Sequence, residues 1–228
     1  MPLLLFDIDG TLLTSDGAAG PAILQALSEF AGKPIDRHDV SFSGKTDPVI
    51  MREILQANDV APAAVEAILP HALSAYATLA SDVITPGSVH ALPGARAVIE
   101  MLAPRHGATL ALLTGNLEHT AYLKLEAVHM RSYFRFGAFG SDHGDRNELP
   151  LIACARATEA LNRTVRPQEA VIIGDTPRDI ACGKAHGCRT VAVATGSFSE
   201  EALAAHAPDA ILRDLRDATA VLDALGLR

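Results

Sequence analysis

Six short apolar runs punctuate the chain: Leu3–Phe6, Thr109–Leu113, Arg135–Phe139, Ala170–Ile173, Thr190–Ala194 and Ala210–Leu212. Each is about strand length. Several are apolar throughout instead of alternating with polar positions, the pattern of strands covered on both faces of a parallel sheet. Between them lie stretches with helical patterning: Ala95–Leu102, Glu118–Val128, Leu149–Leu161, Arg178–His186 and Glu200–His206. Strand followed by helix, repeated, predicts an α/β fold with a Rossmann-like, doubly wound parallel sheet.

One connection departs from that rhythm. The segment between the first two strands is long, and every pattern in it is helical. Pro21–Ala31 places Ile23, Leu24, Leu27, Phe30 and Ala31 on one stripe and stops at Gly32. Asp47 followed by Pro48 reads as an N-cap acid and a first-turn proline, starting a helix that runs to about Ala57. Ala63–Ala80 carries Val65, Ile68, Leu69, Leu73, Tyr76 and Leu79 on one side, and Pro70 is expected to kink or split it. The expectation is a small all-helical domain, residues 15–82, inserted into a core formed by residues 1–14 and 83–228.

Composition narrows the class. The chain has 228 residues, 49% hydrophobic and 20% charged, which suits a packed core and excludes disordered or collagen-like chains. A net charge of −8 argues against a nucleic-acid partner. The three cysteines, Cys154, Cys182 and Cys188, show no C-x-x-C spacing, as expected in a reducing compartment without structural zinc. The start Met1-Pro2-Leu3-Leu4-Leu5-Phe6-Asp7 lacks the pattern of a signal peptide, and no apolar run approaches the ~18–20 residues that cross a bilayer. The expected address is the cytoplasm, with no membrane partner, as a monomer or homodimer.

Ligands of open α/β sheets bind beyond the carboxyl ends of the strands, so the polar residues following each apolar run are the candidates for chemistry. The first run leads into Asp7-Ile8-Asp9-Gly10-Thr11, the second into Thr114-Gly115-Asn116, and the fourth into Gly174-Asp175-Thr176-Pro177-Arg178-Asp179. Two neighbouring loops would then bring four acids to one rim. Unpaired carboxylates about 4 Å apart repel by roughly 4 kcal/mol per pair at an effective dielectric near 20. Some must be protonated, or a cation must neutralise them. Mg²⁺ prefers hard oxygen ligands, and with Arg146 as a positive clamp it would make the rim fit for a phosphate. Thr114 and the Gly115 and Asn116 amides, at the expected start of a helix, offer donors to phosphate oxygens.

These motifs resemble the haloacid dehalogenase superfamily of Asp-dependent phosphotransferases. Asp7-Ile8-Asp9-Gly10-Thr11 is similar to its first motif, Leu113-Thr114-Gly115-Asn116 to its second and Gly174-Asp175-Thr176-Pro177-Arg178-Asp179 to its fourth. The likeness spans nearly the whole chain and includes a helical cap after the first motif, as in phosphoglycolate-phosphatase-like members. It implies Asp7 as a nucleophile that forms an aspartyl-phosphate, and Asp9 as general acid and then base. It also implies Mg²⁺ held by Asp7, the Asp9 carbonyl, Asp175 and, directly or through water, Asp179. The third motif usually supplies a Lys; no Lys lies between Lys124 and Lys184, and Arg146 takes that place. An acid at Asp9 favours phosphate-ester chemistry over the dehalogenase and phosphonate-cleaving branches.

In the helical segment, Ser43-Gly44-Lys45-Thr46 looks like the end of a nucleotide-binding P-loop. The first glycine of that motif would fall at Asp39, however, and no apolar strand precedes it. Relatives with a cap carry a similar loop facing the core, so Lys45 either receives the far end of a substrate or is a solvated surface lysine. His143 is the one histidine on the active rim; His106, His119, His129, His186 and His206 share no ligand spacing. The expected activity is Mg²⁺-dependent hydrolysis of small phosphomonoesters. A phosphomutase of the β-phosphoglucomutase type and a non-catalytic phosphate-ligand binder are the alternatives.

Overall fold

The computed structural model describes residues 2–105 and 108–228; Met1 and His106 lie outside them. The chain forms β1 (Leu3–Phe6), β2 (Leu13–Thr14), α1 (Ala19–Ala31), α2 (Asp47–Ala57), α3 (Pro62–Val83), β3 (His90–Ala91), α4 (Ala95–Arg105) and β4 (Thr109–Leu113). It continues with α5 (Glu118–Ala127), β5 (Gly137–Ala138), α6 (Leu149–Leu161), β6 (Ala170–Gly174), α7 (Pro177–Ala185), β7 (Arg189–Val193), α8 (Glu200–Ala204), β8 (Ala210–Leu212) and α9 (Ala218–Leu225).

Six of these strands make one parallel sheet in the order β5-β4-β1-β6-β7-β8, while β2 and β3 form a separate antiparallel pair. Phe6 stands level with Leu112 on one side and Ile173 on the other. Asp7, Leu113 and Gly174 therefore stand side by side at the carboxyl edge of the sheet. This is the point where strand order reverses, the position at which such sheets bind ligands.

Both faces of the sheet are covered, which accounts for the unbroken apolar runs. Leu4, Phe6, Leu112, Ile173 and Val191 pack in one cluster with Ile99 and Leu102 of α4, Leu125 of α5 and Val221 of α9. Leu3, Leu5, Ala111 and Ile172 point the other way, onto Leu149, Ala153 and Ala157 of α6 and Cys182 of α7. Ile23, Leu27, Ile50, Met51, Leu69 and Tyr76 of α1–α3 belong to the first cluster, so the helical block shares its apolar interior with that face.

Several elements differ from the sequence expectation. Pro70 does not break α3, which runs unbroken through it. A helix-interior proline costs about 3 kcal/mol, and here burial of Val65, Leu69, Ala72, Tyr76 and Ala80 along one face offsets it. At 22 residues and a hydropathy of 1.2, α3 is also long and apolar enough by composition to cross a bilayer, contrary to the sequence reading, although that face packs into the fold. Phe30 leaves the buried stripe of α1; it is exposed and stacks on His71. The third strand shrinks to Gly137–Ala138, and just beyond it the Asp142 carboxylate takes the outward-facing Phe139 N–H at 2.9 Å. A helix not expected from the sequence, α9, starts at an Asp217 N-cap and ends at a left-handed Gly226 C-cap, both ordinary helix signals.

Candidate active site

Asp7 follows the last residue of β1, with its N–H donating to the Ile173 carbonyl at 2.9 Å, so the sheet itself positions this side chain. Asp175 follows β6, and Asp179 lies in the first turn of α7. One carboxylate oxygen from each of Asp7, Asp175 and Asp179 lies within 4.8 Å of the other two, and all three residues are buried. Gly10 and Gly174 permit this crowding. A Cβ on Gly10, at φ +79°, would meet an Asp175 oxygen at 2.4 Å, and one on Gly174 would meet the Asp179 carboxyl carbon at 2.1 Å.

Arg146 reaches into the triad from the 3₁₀ turn before α6. Its Nη2 stands 2.5 Å from Asp179 Oδ1 and 3.1 Å from Asp7 Oδ2. Asp179 serves two purposes: its other oxygen accepts from the Thr176 hydroxyl at 2.6 Å and from the Thr176 N–H at 3.0 Å, closing the cap of α7. Among the described residues, Asp175 has only the Thr11 hydroxyl at 3.3 Å.

The second-motif loop lies beside the triad. Thr114 is fully buried, and its Oγ1 accepts from the Asn116 side-chain amide at 2.8 Å. The Gly115 N–H has no partner among the described residues. Glycine is required there, because a Cβ on Gly115 would sit 2.0 Å from the Lys45 carbonyl. Asn116 does not cap α5. The Leu117 N–H goes to the Asp47 carboxylate at 2.9 Å, the Glu118 N–H goes to Ser141 at 3.1 Å, and the Asp47 N–H goes to the Gly115 carbonyl at 2.8 Å. Asp47 is thus the first residue of α2 rather than its N-cap, which is Thr46, and its side chain caps a helix of the sheet core.

Asp9 turns away from the triad. Its oxygens accept from Lys124 Nζ at 2.7 and 2.9 Å, from Asn116 Nδ2 at 2.7 Å and from Ser15 at 3.2 Å. Lys124 was not among the residues expected at the site. Its signal lies in the periodicity of α5, where Thr120, Ala121, Lys124 and Leu125 are the buried positions, so a lysine occupies the core-facing stripe. Lys45 is ion-paired with Glu53 at the rim. His143 is exposed, bonds to the backbone of Asp145 and stays outside the triad.

A cavity of about 580 Å³ is walled on the sheet side by Asp7, Asp9, Thr114, Lys124, Arg146 and Asp175 and on the helical side by Ile23, Phe42, Lys45, Ile50 and Tyr76. The chain matches the haloacid dehalogenase-like hydrolase family over residues 4–193. It belongs to that family. Phosphoglycolate phosphatase 1 of Pseudomonas aeruginosa is 26% identical, covering 94% of this chain and 77% of its own. Pyrophosphatase PpaX of Anoxybacillus flavithermus is 25% identical, covering 96% and 95%. The crystal structure of β-phosphoglucomutase from Clostridium difficile superimposes with a TM-score of 0.69 at 18% identity, covering 95% and 92%, and shares the fold.

Electrostatics in this hydrolase separate the acids. Burial pushes Asp7 up from 3.8 to about 6; the Arg146 charge opposes this and the Asp179 charge adds to it. Burial, with the Asp179 and Asp7 charges, pushes Asp175 to about 8. Burial also pushes Asp47 to about 6, against the pull of Lys124. For Asp9 burial acts upward too, but the Lys124 charge and hydrogen bonds from Lys124, Asn116 and Ser15 outweigh it and hold the carboxyl below 3.8. This is the one acid of the four whose side chain is 40% exposed to the cavity.

A pH dependence follows. With divalent cation chelated, Asp7, Asp47 and Asp175 hold protons in the folded chain that the unfolded chain loses near pH 4. Their contribution to stability is full below about pH 4 and is lost as pH rises towards about 8. Calorimetry in EDTA is expected to show a melting temperature that falls between pH 5 and 8, and Mg²⁺ is expected to flatten that slope.

Proposed function

We propose that this protein is a Mg²⁺-dependent phosphatase acting on small, anionic phosphomonoesters, with residues 15–82 serving as a cap over the cavity. The observation that carries the reading is the buried Asp7, Asp175 and Asp179 cluster, with Arg146 inserted and the Thr114–Asn116 loop alongside. The two relatives named for phosphate hydrolysis support it.

The donor set fits Mg²⁺: three buried carboxylates offer only hard oxygens, and among the described residues Asp175 has a single long hydrogen bond to offset its charge. When all are ionised, Asp7, Asp9, Asp47, Asp175 and Asp179 carry five negative charges against the two positive charges of Arg146 and Lys124, an excess that a bound divalent ion would offset for an anionic substrate. Asp7, Asp175 and Asp179 would hold it with the Asp9 carbonyl. When bound, Mg²⁺ keeps Asp7 ionised and draws negative charge from the phosphoryl oxygens.

In this reading an Asp7 oxygen bonds to phosphorus as the bond to the leaving oxygen breaks, and Asp9 gives that oxygen a proton. The incoming phosphate raises the proton affinity of Asp9 by adding negative charge beside it. Asp9 then takes a proton from the water that attacks phosphorus, releasing phosphate and regenerating Asp7. The Thr114 hydroxyl and the Gly115 N–H hold the phosphoryl oxygens in place.

A phosphate-release panel of phosphoglycolate, sugar phosphates, nucleotides and pyrophosphate tests the proposal. Release is expected with Mg²⁺, with loss of at least ~100-fold in EDTA and recovery on adding Mg²⁺ back. Turnover that persists in chelator contradicts it. Isomerisation of a sugar 1-phosphate without free phosphate identifies a mutase instead.

A further inference from the structure

We infer that Lys124 is a positioning residue that holds the Asp9 carboxylate at the leaving-group side of the cavity and ties it to the phosphate-binding loop. This inference rests on the phosphatase reading above and assigns a role to a residue that no motif supplies.

The geometry is specific. Lys124 Nζ reaches both Asp9 oxygens, at 2.7 and 2.9 Å, and the Asn116 side-chain carbonyl at 2.7 Å. Asn116 closes the ring by donating to Asp9 Oδ2 at 2.7 Å and to Thr114 Oγ1 at 2.8 Å. Three donor bonds use the full capacity of an ammonium group, and Lys124 is only 3% exposed. Carrying a lysine into this interior is costly unless its partners are fixed, and here both partners belong to the reacting site.

The two buried cations divide the acids between them. Arg146 takes Asp7 and Asp179, while Lys124 takes Asp9, which lies outside the carboxylate cluster. Without Lys124, the attraction of Arg146 and of a divalent ion would draw Asp9 toward Asp7, away from the leaving oxygen. The other acid near Lys124 is Asp47, which the Leu117 N–H already engages. Tyr76 of α3 lines the same cavity.

The leaving group supplies the test. An alkyl phosphate such as phosphoglycolate needs its leaving oxygen protonated, whereas p-nitrophenyl phosphate does not, because nitrophenolate leaves unaided. In stopped-flow assays with Mg²⁺, Lys124→Met is expected to slow phosphoglycolate turnover by at least ~100-fold. With p-nitrophenyl phosphate its burst is expected to slow by less than ~10-fold, at full amplitude, before a slow steady state in which Asp9 must act as base. Asp9→Asn should give the same pattern, and adding Lys124→Met to it should cost little more. Lys124→Arg, which keeps the charge, should recover part of the alkyl-ester rate.

Equal losses on both esters, a reduced burst amplitude or additivity with Asp9→Asn overturn the inference and leave the phosphatase reading standing. A wild-type rate on alkyl esters in Lys124→Met overturns it likewise. Full alkyl-ester activity in Asp9→Asn removes the acid–base reading itself, and the inference with it.

Discussion

Asp7→Asn is expected to lower kcat by ~10⁴-fold or more while the protein stays folded and still binds inorganic phosphate. The amide matches the carboxylate in size but cannot act as the attacking oxygen. The fold does not depend on the lost charge. Arg146 keeps Asp179 at 2.5 Å, and removing one of three mutually repelling carboxylates relaxes the cluster. The melting temperature in EDTA should therefore be no lower than that of the wild type. Titration calorimetry with phosphate and Mg²⁺ checks that binding survives. Activity within tenfold of wild type would exclude Asp7 as the nucleophile.

Arg146→Met is expected to have the largest effect on stability. Arg146 is buried between Asp7 and Asp179, and both charges hold its guanidinium protonated against the cost of burial. Breaking a buried pair from one side costs about 3–5 kcal/mol, which for a chain of this length lowers the melting temperature by roughly 6–20 °C. Mg²⁺ should raise the melting temperature of the variant more than that of the wild type, because it neutralises the same carboxylates.

Arg146→Lys should behave differently. One nitrogen, Nη2, makes both carboxylate contacts, and Nε is buried with no hydrogen-bond partner among the described residues. A lysine ammonium placed where Nη2 now sits would keep both pairs and remove that unsatisfied group. Its expected cost is about 1 kcal/mol or less. A loss as large as that of Arg146→Met would show that guanidinium shape, not charge, is what the cluster requires.

The carboxyl edge of the sheet was legible in the sequence for a local reason. A strand covered on both faces stays apolar until the chain leaves the sheet, so the end of each run marks the carboxyl edge, and Asp7, Thr114 and Asp175 each follow such a run directly. Helix boundaries follow nearby residues where caps are local, as at Thr176 and Asp179. They misled where the partner is remote. Asp47 looks like a cap for the helix it begins, yet its carboxylate bonds 70 residues away, at Leu117. Pro70 looks like a break, yet packing along α3 holds the helix together.

By itself the sequence determined the strand-helix alternation, the parallel edge and the acids that stand on it, because chain direction and apolar periodicity are properties of neighbouring residues. Only the tertiary structure decided how charge is shared among those acids. Lys124 and Asp9 lie 115 residues apart, and Arg146 and Asp179 lie 33 apart. Which cation meets which carboxylate depends on how each helix is rotated against the sheet, and packing of the whole interior sets that rotation.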